Sequence, residues 1–268
     1  MKTIASNITT RNPRVREIIQ ERVTGSENKE EVSCPGLKDI AESCVAAGAD
    51  ILDINLQQHL DNPETMAFAV RVVQDTTDHQ LCLSANNAAT LEAGLKICRQ
   101  VPIINYAAVD TRHLEAILPL AARYKAELVV LISDPAAPLD ADHMLEKAAV
   151  MVGAANEAGI PNDRLFLDPG LFHITAEGGQ RHLAQVIELL RAIPETFNPA
   201  VRTTGWLGNS SAGAPARLRP VIESTLLPLL YGLGLSAVFL DVLRRENKRT
   251  LSLLKVFNNE QIYADSVL

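Results

Sequence analysis

The sequence predicts an α/β protein, a single (β/α)8 TIM barrel over residues 1–268. Eight short apolar runs rich in β-formers alternate with longer stretches of helical period, the pattern of a parallel sheet with crossover helices. A length of 268 residues suits eight such units. Several of the runs end on amide, hydroxyl or carboxylate side chains, as strands do where their C-terminal ends converge on a ligand.

In chain order, the first strand is expected at about 3–8, followed by a helical stretch and a polar exposed loop, G-S-E-N-K-E-E-V-S-C-P, at 25–35. The second, at 50–55 within A-D-I-L-D-I-N, delivers Asp53 and Asn55 to its end. The third, at 81–84 within L-C-L-S-A-N-N, ends on Ser84, with Asn86 and Asn87 beyond it. Asn87 also suits the N-cap of a helix running to Arg99, in which Leu91, Leu95 and Cys98 share one face and Lys96 and Arg99 suit the C-terminal dipole. The fourth strand, at 102–105 within P-I-I-N-Y, ends on Asn105, and Asp110-Thr111 opens a helix with Leu114, Ile117, Leu118 and Ala121 as its stripe.

The fifth strand is expected at 127–132, before an Ala-rich helix from Asp140 to Ala158 that Gly159-Ile160-Pro161 stops. The sixth, at 164–168, ends in L-F-L-D-P-G and presents Asp168. The seventh, at 201–205, runs into G-W-L-G-N-S-S-A-G-A-P-A-R, where Asn209 and Arg217 are the only long polar side chains among small residues. After Pro220 the run V-I-E-S-T-L-L-P-L-L-Y-G-L-G-L is apolar nearly all round, which predicts a helix buried on more than one face and disturbed at Pro228. The eighth strand, at 236–241, ends on Asp241.

With 47% hydrophobic residues and no Ser/Gly/Pro linker, the chain is expected to fold as one domain. A net charge of −7 without a Lys/Arg-rich run excludes nucleic acid and an anionic membrane as main partners. The N-terminus has no apolar stretch of signal-peptide length, and no window approaches the ~20 apolar residues of a membrane span, so a cytoplasmic protein is expected. Cys34, Cys44, Cys82 and Cys98 form no C-x-x-C pair and no zinc pattern. No metal is expected, the thiols are expected to be reduced, and Cys82 and Cys98 to pack in the core.

The barrel brings Asp53, Asn55, Ser84, Asn86, Asn87, Asn105, Asp168, Asn209, Arg217 and Asp241 to one rim. No strand ends on a His, Lys or Cys placed as nucleophile or base. Carboxylates and amides instead suit a neutral heterocycle with several N–H donors and ring acceptors. Two roles stay open for some of these residues. Asp53 and Asn87 either cap the next helix or meet a ligand, and Arg217 either pairs with an acid or meets a ligand. His173 is expected to be solvated and Trp206 to pack just below the rim.

These residues resemble the pterin-binding barrels, which include dihydropteroate synthase and the methyltetrahydrofolate:corrinoid methyltransferases, and the methyltransferase branch is the closer. The resemblance runs through A-G-A-D-I-L-D-I-N (47–55), L-C-L-S-A-N-N-A-A-T-L-E-A-G-L-K (81–96), I-N (104–105), L-D-P (167–169), L-G-N-S-S (207–211), A-R-L-R-P-V-I-E-S-T-L-L and Y-A-D-S-V (263–267). Each motif is short. Their shared order and spacing are specific.

The resemblance implies that strand-end Asn and Asp residues, here Asn105 and Asp168, hold a pterin ring, that Asn209 stands near N5, and that Arg217 matches a further family arginine. It implies methyl transfer between N5 of methyltetrahydrofolate or tetrahydrofolate and the cobalt of a corrinoid (cobalamin) carried by a separate protein. Transfer in the reverse direction would serve the demethylation of methyl donors. A homodimer is implied as well. The alternatives are a non-catalytic folate-binding subunit of a corrinoid complex and a dihydropteroate synthase, though the latter's Ser-Arg-Lys is replaced here by Gly208-Asn209-Ser210-Ser211.

Two departures stand out. Ser6-Asn7-Ile8-Thr9 replaces the family's Glu-Arg-Ile-Asn on the first strand, and Ser84 replaces an aspartate at the end of the third. The serine removes a charge-assisted bond worth about 1.5–3 kcal/mol unless a neighbour replaces it.

Overall fold

The computed structural model describes residues 1–24, 34–57, 59–108, 111–133 and 140–265. Eight strands, β1 (Lys2–Thr9), β2 (Ile51–Asn55), β3 (Gln80–Ser84), β4 (Ile103–Ala108), β5 (Glu127–Leu131), β6 (Leu165–Asp168), β7 (Arg202–Thr203) and β8 (Ala237–Leu240), fall where the apolar runs predict them. Around them lie α1 (Pro13–Thr24), α2 (Pro35–Ala46), α3 (Pro63–Gln74), α4 (Ala88–Leu95), α5 (Thr111–Arg123), α6 (Ala141–Glu157), α7 (Gly179–Thr196), α8 (Leu207–Ser210), α9 (Arg219–Gly232) and α10 (Arg245–Phe257). Most of the 25–35 loop and Asp110 lie outside the described residues, while Pro35 opens α2.

The local signals act as expected. Asn62 caps α3 ahead of Pro63, and Asp140 caps α6 by accepting from the His143 amide at 2.9 Å. Beyond α6, Gly159 takes a φ of +83°, the left-handed turn that ends the helix. The helix expected to run from Asn87 to Arg99, α4, stops at Leu95. α9 runs on through Pro228. It buries Glu223, Leu226, Leu227 and Leu230 on one side and leaves Val221 and Leu229 58% and 45% exposed on the other. Burial on more than one face therefore does not hold within this chain.

Every ladder is parallel, in the order β7-β6-β5-β4-β3-β2-β1-β8. Between β7 and β8 the pairing shrinks to a bridge of Trp206 with Phe239, helped by Phe239 N–H to Gly205 C=O at 2.9 Å and Ser236 N–H to Thr203 C=O at 3.1 Å. These bonds close the barrel.

Alternation along the strands sorts the apolar side chains into two cores. The larger lies between sheet and helices. The smaller fills the lumen with Ile4, Ile51, Cys82, Ile103, Val129, Phe166, Ala237 and Phe239. Trp206 stacks on Phe239 at 4.6 Å and 7°, so its ring packs against the lumen core. Where β3, β5 and β7 begin, the lumen is stoppered. The Arg202 guanidinium lies 3.8 Å from the Phe166 ring centroid and 2.8 Å from the Glu127 carboxylate, which also accepts from Gln80 Nε2 at 2.9 Å. No helix among the described residues is long and apolar enough to cross a membrane.

Candidate active site

Register sets the site. β2, β3 and β4 align Asn55, Ser84 and Asn105 side by side, with Asp53, Cys82 and Ile103 in the row beneath. Because side chains two apart share a face, Asp53 and Asn55 both point inward with Ser84 and Asn105. The Ser84 hydroxyl donates to Asp53 Oδ1 at 2.6 Å, and Asn105 Nδ2 donates to Ser84 Oγ at 2.8 Å. All three residues are 2% exposed or less.

Three polar atoms of this group are buried with no hydrogen-bond partner among the described residues: Asp53 Oδ2, Asn55 Nδ2 and Asn105 Oδ1. Each such atom costs about 1–3 kcal/mol if left unpaired, so a cluster of them marks a place built for a ligand. Asp53 does not cap a helix. Burial pushes its carboxyl up to about 7, against the lowering effects of the Ser84 hydroxyl, the Cys82 and Asn55 side chains and the Arg11 charge.

Asp168 stands higher in the lumen. The Asn105 row continues through Val129 to Phe166, and Asp168 lies two residues further along β6, about 7 Å up the strand. Burial pushes its carboxyl up to about 7 as well, offset by the Gly170 amide that donates to Oδ1 at 2.8 Å. Nearby Tyr106, half-buried, is raised by burial and by the Asp168 charge.

The Asp168-Pro169-Gly170 turn needs its glycine, which has a φ of +67° and whose added Cβ would lie 1.9 Å from Ser133 Oγ. Gly170→Ala is expected to lower unfolding stability by about 2 kcal/mol or more in urea titration, and an unshifted midpoint would contradict the strain. His182 on α7 braces the same turn, with Nε2 2.8 Å from the Gly170 carbonyl and the ring buried. The sequence reading missed this residue. Its one signal was a polar ring on the buried face of an otherwise apolar stripe with Val186, Leu189, Leu190 and Ile193.

The remaining rim residues are placed differently. Asn87 is exposed and its Oδ1 accepts from the Ala89 amide at 2.8 Å, so it caps α4. Asn86 is exposed and donates to Gln57 C=O at 2.5 Å. Asp241 is tied to Asn7 Nδ2 at 2.6 Å and the Leu243 amide at 3.0 Å, a structural use. His173 is half-buried beside Phe172, with ring centroids 4.3 Å apart, and is not simply solvated.

Asn209, on α8, is exposed and its carboxamide makes no hydrogen bond among the described residues. The turn that follows it is tied to α9. The Ser211 hydroxyl donates to buried Glu223 at 2.5 Å, and Arg244 pairs with the other oxygen of Glu223 at 2.5 Å. Arg217 is exposed and joins no ion pair among the described residues, so the structural alternative of an acid partner is not seen.

The cysteines carry no chemistry here. Burial pushes Cys44 and Cys98 up to about 12 and Cys82 well above the ordinary thiol range. All four are free, with Cys82 buried in the lumen and Cys98 half-buried against the outer core. No group of three or more His, Cys, Asp or Glu that could hold a metal ion occurs among the described residues. The lumen thus offers desolvated acceptors and no activated nucleophile, which equips it to bind a ring rich in N–H groups.

Residues 25–212 match the family model described as "Pterin binding enzyme". Over 215 residues the chain is 24% identical to a methylcorrinoid:tetrahydrofolate methyltransferase of Eubacterium limosum, covering 78% of this chain and 77% of that protein. Among solved structures, Xanthomonas albilineans dihydropteroate synthase with 4-aminobenzoic acid aligns with a TM-score of 0.65 at 16% identity, over 98% of this chain and 94% of that one. A Yersinia pestis counterpart with a pterine-sulfa conjugate gives 0.65 at 16% identity, over 96% and 94%. At these identities the structural likeness bears on the fold alone.

Proposed function

Because the chain belongs to the pterin-binding enzyme family, we propose that it is a methyltransferase acting between N5 of methyltetrahydrofolate or tetrahydrofolate and a corrinoid held by a partner protein. The observation that carries this reading is the lumen: two buried carboxyls, Asp53 and Asp168, and the Asn105 amide, with buried polar atoms on Asp53, Asn55 and Asn105 that have no partner among the described residues. Such a set takes a pyrimidine edge with several N–H donors. The Eubacterium limosum relative supports the choice of chemistry.

In this reading Asp168 and Asn105 clamp the pterin and exclude water from it. The corrinoid supplies the methyl acceptor or donor. As the bond between the methyl carbon and N5 breaks, the nitrogen keeps the electron pair and needs a proton or a hydrogen bond, since an unassisted amine leaves poorly. Asn209 provides that bond from its free carboxamide, and Arg217 meets the folate glutamate or fixes the loop after the seventh strand. The protein contributes orientation and preorganised dipoles, with no covalent step of its own. A homodimer belongs to the same reading and is supported by the exposed apolar Val221 and Leu229 of α9.

The test is a turnover assay with methyltetrahydrofolate and free cob(I)alamin, followed by the visible absorbance of the corrinoid. Protein-dependent loss of the cob(I)alamin band is expected. Folate binding without acceleration would favour the non-catalytic folate-binding subunit, and no folate binding would overturn the proposal. Dihydropteroate synthase is the weaker reading, because Gly208-Asn209-Ser210-Ser211 supplies no cation for a pyrophosphate.

A further inference from the structure

A carboxamide can face a ligand with either a donor or an acceptor, so something must choose which Asn105 presents. The choice is made one strand away. The Ser84 hydroxyl has a single proton, and Asp53 Oδ1 takes it at 2.6 Å. The Ser84 oxygen then has only lone pairs to offer Asn105, which answers with Nδ2 at 2.8 Å. That leaves Asn105 Oδ1 turned away from Ser84, buried and without a partner among the described residues.

We infer that Asp53 is a positioning residue which, acting through Ser84, fixes the Asn105 carboxamide as a hydrogen-bond acceptor and so makes the site demand an N–H at that point of the ligand. The inference rests on the pterin reading above and deepens it. The carboxyl missing at Ser84 is not simply lost: one sits a row lower, at Asp53, and its acceptor oxygen is transmitted through the Ser84 hydroxyl as the polarity of an amide. A ligand carrying a carbonyl or a methyl group in place of that N–H would set acceptor against acceptor, or bury Oδ1 unpaired.

The experiment compares 6-methyltetrahydropterin with two analogues that each remove one donor group from that edge, the 2-oxo compound lacking the amino group and the 3-N-methyl compound lacking the ring N–H, by calorimetry. The wild-type protein is expected to prefer the parent over at least one analogue by roughly 100-fold. In Ser84→Ala and in Asp53→Asn the amide loses its fixed polarity, and this preference is expected to fall at least tenfold, while Ser84→Thr, which retains the hydroxyl, restores it. A merely structural role would weaken all three ligands alike, so unchanged ratios in both variants would overturn the inference. Failure of the wild-type protein to bind the parent compound would instead overturn the pterin reading. Circular dichroism of each variant separates misfolding from loss of discrimination.

Discussion

Asp168→Ala is expected to weaken methyltetrahydrofolate binding by at least about 100-fold, to the point of disappearing from a calorimetric titration in which the wild-type protein binds. A hydrogen bond to a charged group contributes about 1.5–3 kcal/mol, and a carboxylate taking paired N–H groups in a desolvated lumen lies at or above the upper end. The fold should tolerate the change. Among the described residues the only hydrogen bond made by the side chain is from the Gly170 amide, and at neutral pH its burial already disfavours the ionised form. Retained binding in the variant would remove the pterin from this part of the rim.

The same carboxyl gives binding a pH signature. Its pKa is raised to about 7, whereas a ligand that donates N–H groups favours the ionised form. Below pH 7 binding must therefore expel a proton, so affinity should fall as pH drops from 7, by up to about tenfold per unit, and Asp168→Asn should flatten this slope. Proton release is measured by repeating the titration at pH 6 in buffers of different ionisation enthalpy. The ligand-free fold responds with the opposite sign. Asp53 and Asp168 both have folded values above the ordinary carboxylate range. Their contribution to stability is full below that range, declines as pH rises toward 7, and is lost above it.

Asn209→Ala is expected to lower the rate of methyl transfer by about 100- to 1,000-fold while leaving the folate dissociation constant within a few-fold. That magnitude is typical for removing one preorganised donor aimed at charge developing in a transition state. The side chain is exposed and makes no hydrogen bond among the described residues, so its loss should shift stability by less than about 0.5 kcal/mol. The combination of slow turnover, intact binding and intact fold distinguishes assistance at N5 from a clamp on the ring. Single-turnover mixing of protein, methyltetrahydrofolate and cob(I)alamin checks it, and wild-type turnover in the variant would sink the assignment.

The barrel was legible because each strand is a short apolar burst that ends on a polar side chain, and because Gly159-Ile160-Pro161 and Asn87 punctuate the helices between them. Asp168 and Asn105 could be singled out for the same reason. What local sequence could not convey was pairing across strands. That Asp53 lies beneath Ser84, and Ser84 beside Asn105, follows from register between segments 21 to 31 residues apart. His182 was missed on the same ground, because its partner is a backbone carbonyl on a distant turn. β7 is only two residues long, and its closing contact with β8 is carried by a bridge at Trp206 and by the carbonyls of Thr203 and Gly205. The second face of α9 could not be assigned from sequence, because its composition says apolar without saying whether the barrel or a second copy covers it.

The stopper at the base of the lumen, Arg202 over Phe166 with Glu127 and Gln80, plugs that end and makes the polar rim at the other the doorway. On the proposed reading both reactants must use it, and they differ greatly in size. The small one has to go in first, and the large one then stands in its exit. Steady-state kinetics should accordingly follow a compulsory order, with folate leading and the folate product trapped until the corrinoid protein lets go. The residence time of that protein at the doorway, more than the chemistry inside, would then set the pace of each cycle.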